Sequence, residues 1–235
     1  MKPSQILGGL SLSEHSFRNP TFNFMKLFSG LIFVFVFFAE SIFAQQRVVA
    51  ECTVTYQISL EENNLSKEVQ NALHQSSKTV YVKGNDSRVD LYSPSLLQSV
   101  IYDKSNGSAV ILREFGNNKF MTRLNNKEWQ EANKQYEGMT IHFLNEAKII
   151  LGYECKKAVL TLRDSSTFNI YYATAIVPSV REFEYQFKDV PGFVLEFDVK
   201  EHSESIVRYK ATKINLSPVP ASKYDIPTSG YRLLN

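Results

Sequence analysis

The densest chemistry in the chain lies in Ile149-Ile150-Leu151-Gly152-Tyr153-Glu154-Cys155-Lys156-Lys157-Ala158. A thiol beside an aromatic ring and two lysines has three uses. With a base such as His142 it would be a nucleophile. With Cys52, the other cysteine, it would form a disulfide. The lysine pair could bind an anion or a partner. Beyond residue 44 the histidines are His74, His142 and His202, in unrelated segments without ligand spacing. His-x-x-x-His, Cys-x-x-Cys, a phosphate-binding glycine loop and a nucleophile elbow are all missing from the sequence. No catalytic residue, metal ligand or cofactor is therefore assigned, and the chain reads as non-enzymatic. Lys156-Lys157 reads as a solvated strand face. Cys52 and Cys155 are either bridged or buried thiols.

The elements that must position these residues begin after an apolar leader. Leu31-Ile32-Phe33-Val34-Phe35-Val36-Phe37-Phe38-Ala39 follows Lys26 and precedes Ser41-Ile42-Phe43-Ala44. A charged residue, a short apolar run and a small residue form a secretory signal, with cleavage expected after Ala44. The run is too short for a membrane span of roughly 20 residues. Met25-Lys26 looks like the natural start, so residues 1–24 read as an extension, 25–44 as the signal peptide and 45–235 as one domain. An exported chain meets an oxidising compartment, which is what makes a Cys52–Cys155 bridge an option. The formal net charge is +2 with no long basic run, which argues against nucleic acid as a partner.

From Val48 to Leu60 apolar residues alternate with polar ones, the signature of a long strand with one buried face and Cys52 in the core. Leu65, Val69, Ala72 and Leu73 recur at helical spacing within Glu61–Ser76. Short strands and turns follow, with Gly84-Asn85-Asp86, Asn106-Gly107 and Gly116-Asn117-Asn118 as hairpin signals. Asn126–Tyr136, with the sole tryptophan, Trp129, reads as weakly helical. Met139–Leu144, Glu154–Arg163 and Thr167–Ile176 read as strands. So does Arg181–Phe187, where Phe183, Tyr185 and Phe187 alternate with Glu182, Glu184 and Gln186. The proline-bearing tail after Asn215 is extended and cannot join a central strand. The expected fold is mainly β, in the α+β class. It is a strongly curved antiparallel sheet or open half-barrel of roughly ten strands with one or two short helices. Phe168, Tyr172, Phe183, Tyr185 and Phe187 would fill its core or line a cavity for an apolar ligand.

Three stretches together resemble a known family. They are Ile149–Ala158, with Gly152, Tyr153, Cys155, Lys157 and Ala158; Phe187–Phe197, with Pro191, Gly192 and Leu195; and Ala211–Ile214 followed by Pro227 and Tyr231. They resemble the exported domain of unknown function 4412 family of Bacteroidota, related to the GLPGLI family. The resemblance implies a periplasmic or extracellular protein with a fold like the lipoprotein carriers. It implies a lipid, a lipidated protein or an envelope protein as partner, and no stable membrane span once the signal is removed. An interaction module with a filled core is the alternative.

Overall fold

The computed structural model describes residues 46–61, 65–200 and 206–234, all within one compact unit, Gln45–Asn235. The expected signal peptide and its cleavage at Ala44 lie outside the described residues, as does His202.

The elements, in order, are β1 (Arg47–Val49), β2 (Glu51–Glu61), α1 (Lys67–His74), β3 (Ser77–Lys83), β4 (Asp86–Ser93), β5 (Leu96–Asp103), β6 (Ser108–Phe115), β7 (Asn118–Leu124) and α2 (Asn126–Ala132). They continue with β8 (Thr140–Ile150), β9 (Tyr153–Thr161), β10 (Thr167–Ala173), β11 (Ile176–Pro178), β12 (Phe193–Lys200), β13 (Ile206–Asn215) and β14 (Arg232–Leu234). Among the described residues twelve strands form one open sheet in the order β14-β7-β6-β5-β4-β3-β2-β13-β12-β10-β9-β8, which does not close into a barrel. Every pair is antiparallel except β14 on β7, and β1 pairs with β11 in parallel beside the sheet. The mainly β, open-sheet expectation therefore holds, with more strands than the periodicity suggested.

The meander β2–β7 follows from alternation and turn chemistry. Cys52, Val54, Tyr56 and Ile58 are buried on one face of β2 while Thr53 and Thr55 are not. The same face continues through Val80 and Val82 of β3. Val48 does not share it: it is exposed, because the chain bends at Ala50 and β1 leaves the sheet to pair with β11. Gly84-Asn85 and Gly116-Asn117 each close a two-residue hairpin, with positive φ at both glycines. Asn106-Gly107 does not make the expected two-residue turn. Asp103 pairs with Ser108 across a four-residue loop, and the Asp103 carboxylate accepts from the Ser105 and Asn106 backbone N–H groups. A side chain that caps its own turn adds length to it.

The helices are short. Ser66 caps α1, accepting from Val69 N–H at 3.3 Å. α2 opens with a reciprocal capping box between Asn125 and Glu128, and its single buried residue is Trp129.

Arg181–Phe187 is not a strand. It forms two single-turn 3-10 helices, Arg181–Phe183 and Tyr185–Phe187. Phe183 and Phe187 lie four residues apart and both point into the core. Between Pro178 and Pro191, the strands it follows and precedes, β10 and β12, are already paired to each other, and β10 to β9 as well. It crosses a sheet face instead and buries its rings there.

The opposite face of β4–β7 is covered by the tail. Ile101, Val110, Leu112 and Met121 pack under Tyr224, Ile226 and Tyr231. Polar contacts strap the tail down. The Glu51 carboxylate accepts from Val219 N–H at 2.7 Å and pairs with Lys83, whose Nζ also donates to Val219 O at 2.9 Å. Arg88 donates to Lys223 O at 2.7 Å, and Tyr231 donates to Glu114. The Val219 N–H and Lys83 hold Glu51 below the usual carboxylate range; Lys119 and Tyr231 do the same for Glu114. A depressed folded-state pKa gives stability that is present above the unfolded value and lost as pH falls through the folded one. The strap is thus expected to loosen as pH drops below about 4.5. Amide exchange should rise in residues 218–231 before it rises in β2 or β3. Glu51→Gln should move that loosening to neutral pH, whereas global unfolding with no earlier tail opening would contradict the strap.

Candidate functional site

The buried face of β3 carries Lys78, Val80 and Val82 in register, so a lysine stands where alternation calls for an apolar residue. Lys78 is only 8% exposed. Its neighbours across the ladder are Tyr56 and Leu91. Its Nζ stands 5.0 Å from the Phe197 ring centroid and 4.9 Å from that of Tyr209. Those two rings stack on each other at 4.7 Å and 8°. Glu184, between the two 3-10 turns, ion-pairs with Lys78, and Gln186 Nε2 donates to the other Glu184 oxygen at 2.9 Å. Burying an ammonium is costly unless a carboxylate and ring faces replace its water. This site supplies both.

Above Lys78 lies a cavity of about 220 Å³. Val89, Leu91 and Val100 form its sheet wall; Trp129, Phe183 and Tyr185 form its cover. The cover is tied together locally. Trp129 stacks on Tyr102 at 5.6 Å and meets the Tyr185 ring edge-on at 6.4 Å. Tyr185 donates to Glu137, which Lys188 also reaches at 2.8 Å. The buried Trp129 Nε1–H has no acceptor among the described residues.

The aromatic residues singled out from the sequence do not share one place. Phe183 and Tyr185 line this cavity. Phe187 is core, 5.1 Å from Phe197 and 5.8 Å from Phe183 between ring centroids. Phe168 is partly buried against the same core. Tyr172 lines a separate, open pocket of about 530 Å³ beside the β8 bulge with Phe143, Glu154 and Lys156. Lys78, Trp129 and Glu184 were not singled out. A lysine on the apolar parity of Lys78-Val80-Val82 was a readable signal; its partner in a 3-10 turn was not.

The family-like stretches serve the fold. Leu151-Gly152 is a two-residue hairpin turn between Ile150 and Tyr153, with φ of 51° and 82°, so this stretch is a hairpin tip. β8 is the sheet's edge, and Ile149 there is 68% exposed. Ala158 and Leu195 are fully buried. Tyr231 belongs to the tail strap. Lys157 pairs with Glu146 at 2.9 Å, and Lys156 lines the open pocket.

Cys52 and Cys155 are free thiols, both 0% exposed, and no bridge joins them. β13, β12 and β10 lie between β2 and β9, so the two cysteines stand on strands that are not neighbours in the sheet. Cys155 is buried despite its opposite parity to Ala158, as is its ladder partner Ala173, while Glu154 and Lys156 on the other face of β9 are exposed. His142 pairs with Val159, four residues along β9 from Cys155, or about 13 Å at ~3.3 Å per residue. That separation excludes a Cys155–His142 nucleophile pair. Burial pushes the Cys52 thiol up to about 12 and Cys155 to about 11, so both stay protonated at neutral pH. Native protein is expected to be inert to a thiol-reactive disulfide reagent over minutes and to release two equivalents in guanidinium. Prompt native labelling would mean that β9 or β2 opens.

Among the described residues no three His, Cys, Asp or Glu side chains cluster as a metal site. No described helix is long and apolar enough to cross a membrane.

No family model matches the chain, and no curated protein sequence does. Solved structures similar to it include PNGF-II at TM-score 0.46 and 17% identity, over 78% of this chain and 30% of that one. MucB matches at TM-score 0.40 and 11% identity, over 76% of this chain and 58% of that one. A LolA superfamily protein from Nitrosomonas europaea matches at TM-score 0.32 and 14% identity, over 77% and 92%. The chain therefore spans less than a third of the first of these.

Proposed function

We propose that this is an exported, non-enzymatic binding module whose inner sheet face receives an apolar ligand, a lipid or a lipidated partner. The observation that carries the reading is the cavity between β3–β5 and a cover made of α2 and the 3-10 turns. A sheet wall is fixed by its ladders, whereas short turns are drawn from the less stable parts of a fold. The cavity is smaller than the roughly 300–1,000 Å³ of most ligand sites, so a full acyl chain requires the cover to lift. In this reading the signal peptide is removed after Ala44, the protein works in the periplasm or outside the cell, and its family is that of domain of unknown function 4412. The motif stretches that fix Gly152, Gly192 and the tail strap support the family assignment.

A second reading has its own support. Phe183 and Phe187 fill much of the inner face, as a structural or interaction module for an envelope protein with a closed core requires. One experiment separates the two. Organic extracts of the purified protein are examined for lipid by mass spectrometry, and uptake of a fluorescent fatty acid is titrated. Binding is expected, and Val100→Phe, which fills the cavity, should abolish it without lowering the melting temperature. No lipid and no uptake would leave the closed-core module.

A further inference from the structure

The floor of the cavity narrows the ligand class, on the premise that the inner face binds an amphiphile as proposed above. Lys78 has three N–H donors, and its one described carboxylate partner is Glu184. Glu184 sits on the connection between two single-turn helices and belongs to no ladder. When the cover lifts, Glu184 leaves with it. Lys78 stays, because β3 is paired on both sides, to β2 and β4. A buried ammonium stripped of its anion is strongly unfavourable, and a neutral ligand offers it no compensation. Trp129, 9% exposed, lines the same cavity and carries an indole N–H without a partner among the described residues. The site therefore opens at least cost to a guest that brings its own acceptor-rich anion.

We infer that the cavity takes a carboxylate amphiphile, whose head group replaces Glu184 on Lys78 and accepts from the Trp129 Nε1–H while its chain lies on Val89, Leu91 and Val100. The exchange swaps one carboxylate for another and leaves the local charge unchanged. A phosphate monoester, at about −1.5 to −2, would overcharge a single lysine. The cavity holds roughly seven water volumes at ~30 Å³ each, so the probe is a short chain.

Trp129 is the only tryptophan in the chain, so its fluorescence reports on the cavity directly. Octanoate and octanol share a chain and differ in the head group. In wild-type protein both quench or shift the emission. Glu184→Gln removes the internal competitor and is expected to tighten octanoate about ten-fold while leaving octanol within about two-fold. Lys78→Met is expected to weaken octanoate about ten-fold and leave octanol unchanged. The double variant Lys78→Met/Glu184→Gln, which leaves no unpaired charge, guards against misfolding of the single one. It should bind octanol and lose the preference for octanoate. If octanoate and octanol respond alike across all variants, the head-group assignment is overturned while the apolar site stands. If neither binds any form, both fall together.

Discussion

Lys78→Met, with Glu184 left in place, is expected to lower the free energy of unfolding by about 3–5 kcal/mol, because it strands a buried carboxylate. Both partners lie well inside the protein, with side chains 10% and 16% exposed. Solvent screening therefore does little to soften the loss. Methionine keeps contact with the Phe197 and Tyr209 rings through its thioether, so little of the effect comes from lost packing. Replacing both partners, as Lys78→Met/Glu184→Leu, is expected to restore wild-type stability or to exceed it by up to about 4 kcal/mol. Urea unfolding of the wild type, Lys78→Met, Glu184→Leu and the double variant reads the cycle as shifts in midpoint at constant slope. Equal losses in the single and double variants would mean that packing at Lys78, and not the ion pair, is what matters. The result bears on function as well as stability. A pair that contributes less than its hydrophobic replacement is kept for some reason other than holding the fold.

The second large effect is expected at Gly192. A Cβ there would stand 2.8 Å from Tyr172 Cδ2 and closer still to the Ala173 carbonyl oxygen. Backbone cannot rotate away as a side-chain tip can. Gly192→Ala is therefore expected to cost about 1–3 kcal/mol or more, and to separate the start of β12 from the end of β10. Gly152 makes the contrast. Its φ is 82° and nothing stands within 4 Å of an added Cβ. Asparagine tolerates positive φ, so Gly152→Asn should be close to neutral and Gly192→Asn should not. Thermal melts of the two asparagine variants decide it; equal losses would mean that the close approach at Gly192 is not what constrains it.

Much of the sheet was legible because its signals are local. Val80 and Val82, or Cys52, Val54 and Tyr56, announce a half-buried strand by parity alone, and Gly84-Asn85 announces its hairpin. Arg181–Phe187 misled for the same reason. Phe183, Tyr185 and Phe187 alternate, but Phe183 and Phe187 are also one helical turn apart, and only the pairing of the finished sheet decides between the two. The tail could be read as extended but not as a strap. Its hold depends on Glu51 and Glu114, more than a hundred residues earlier in the chain. The site was the least legible part. Lys78 broke the pattern of its strand visibly, yet its meaning rests on Glu184 and on two rings from β12 and β13, which come together only when the sheet is complete. The cysteine-bearing stretch drew attention through its residue types, and its residues turned out to build an edge hairpin.

The placement of β2 beside β13 has a consequence for how the protein is made. Strands β3–β7 extend the sheet on one side of β2 in simple succession, but the other side of β2 must wait for β13, with Ser59 paired to Arg208 and Thr53 to Asn215. Synthesis runs from the N-terminus, so a half-built sheet ending in an open, eleven-residue edge exists until nearly the whole chain has emerged. Closing a seam between residues so far apart in sequence is intrinsically slow, and open strand edges invite pairing with other chains. Yield in the cell should therefore be governed by how long β2 is shielded before β13 arrives, more than by the stability of the finished sheet.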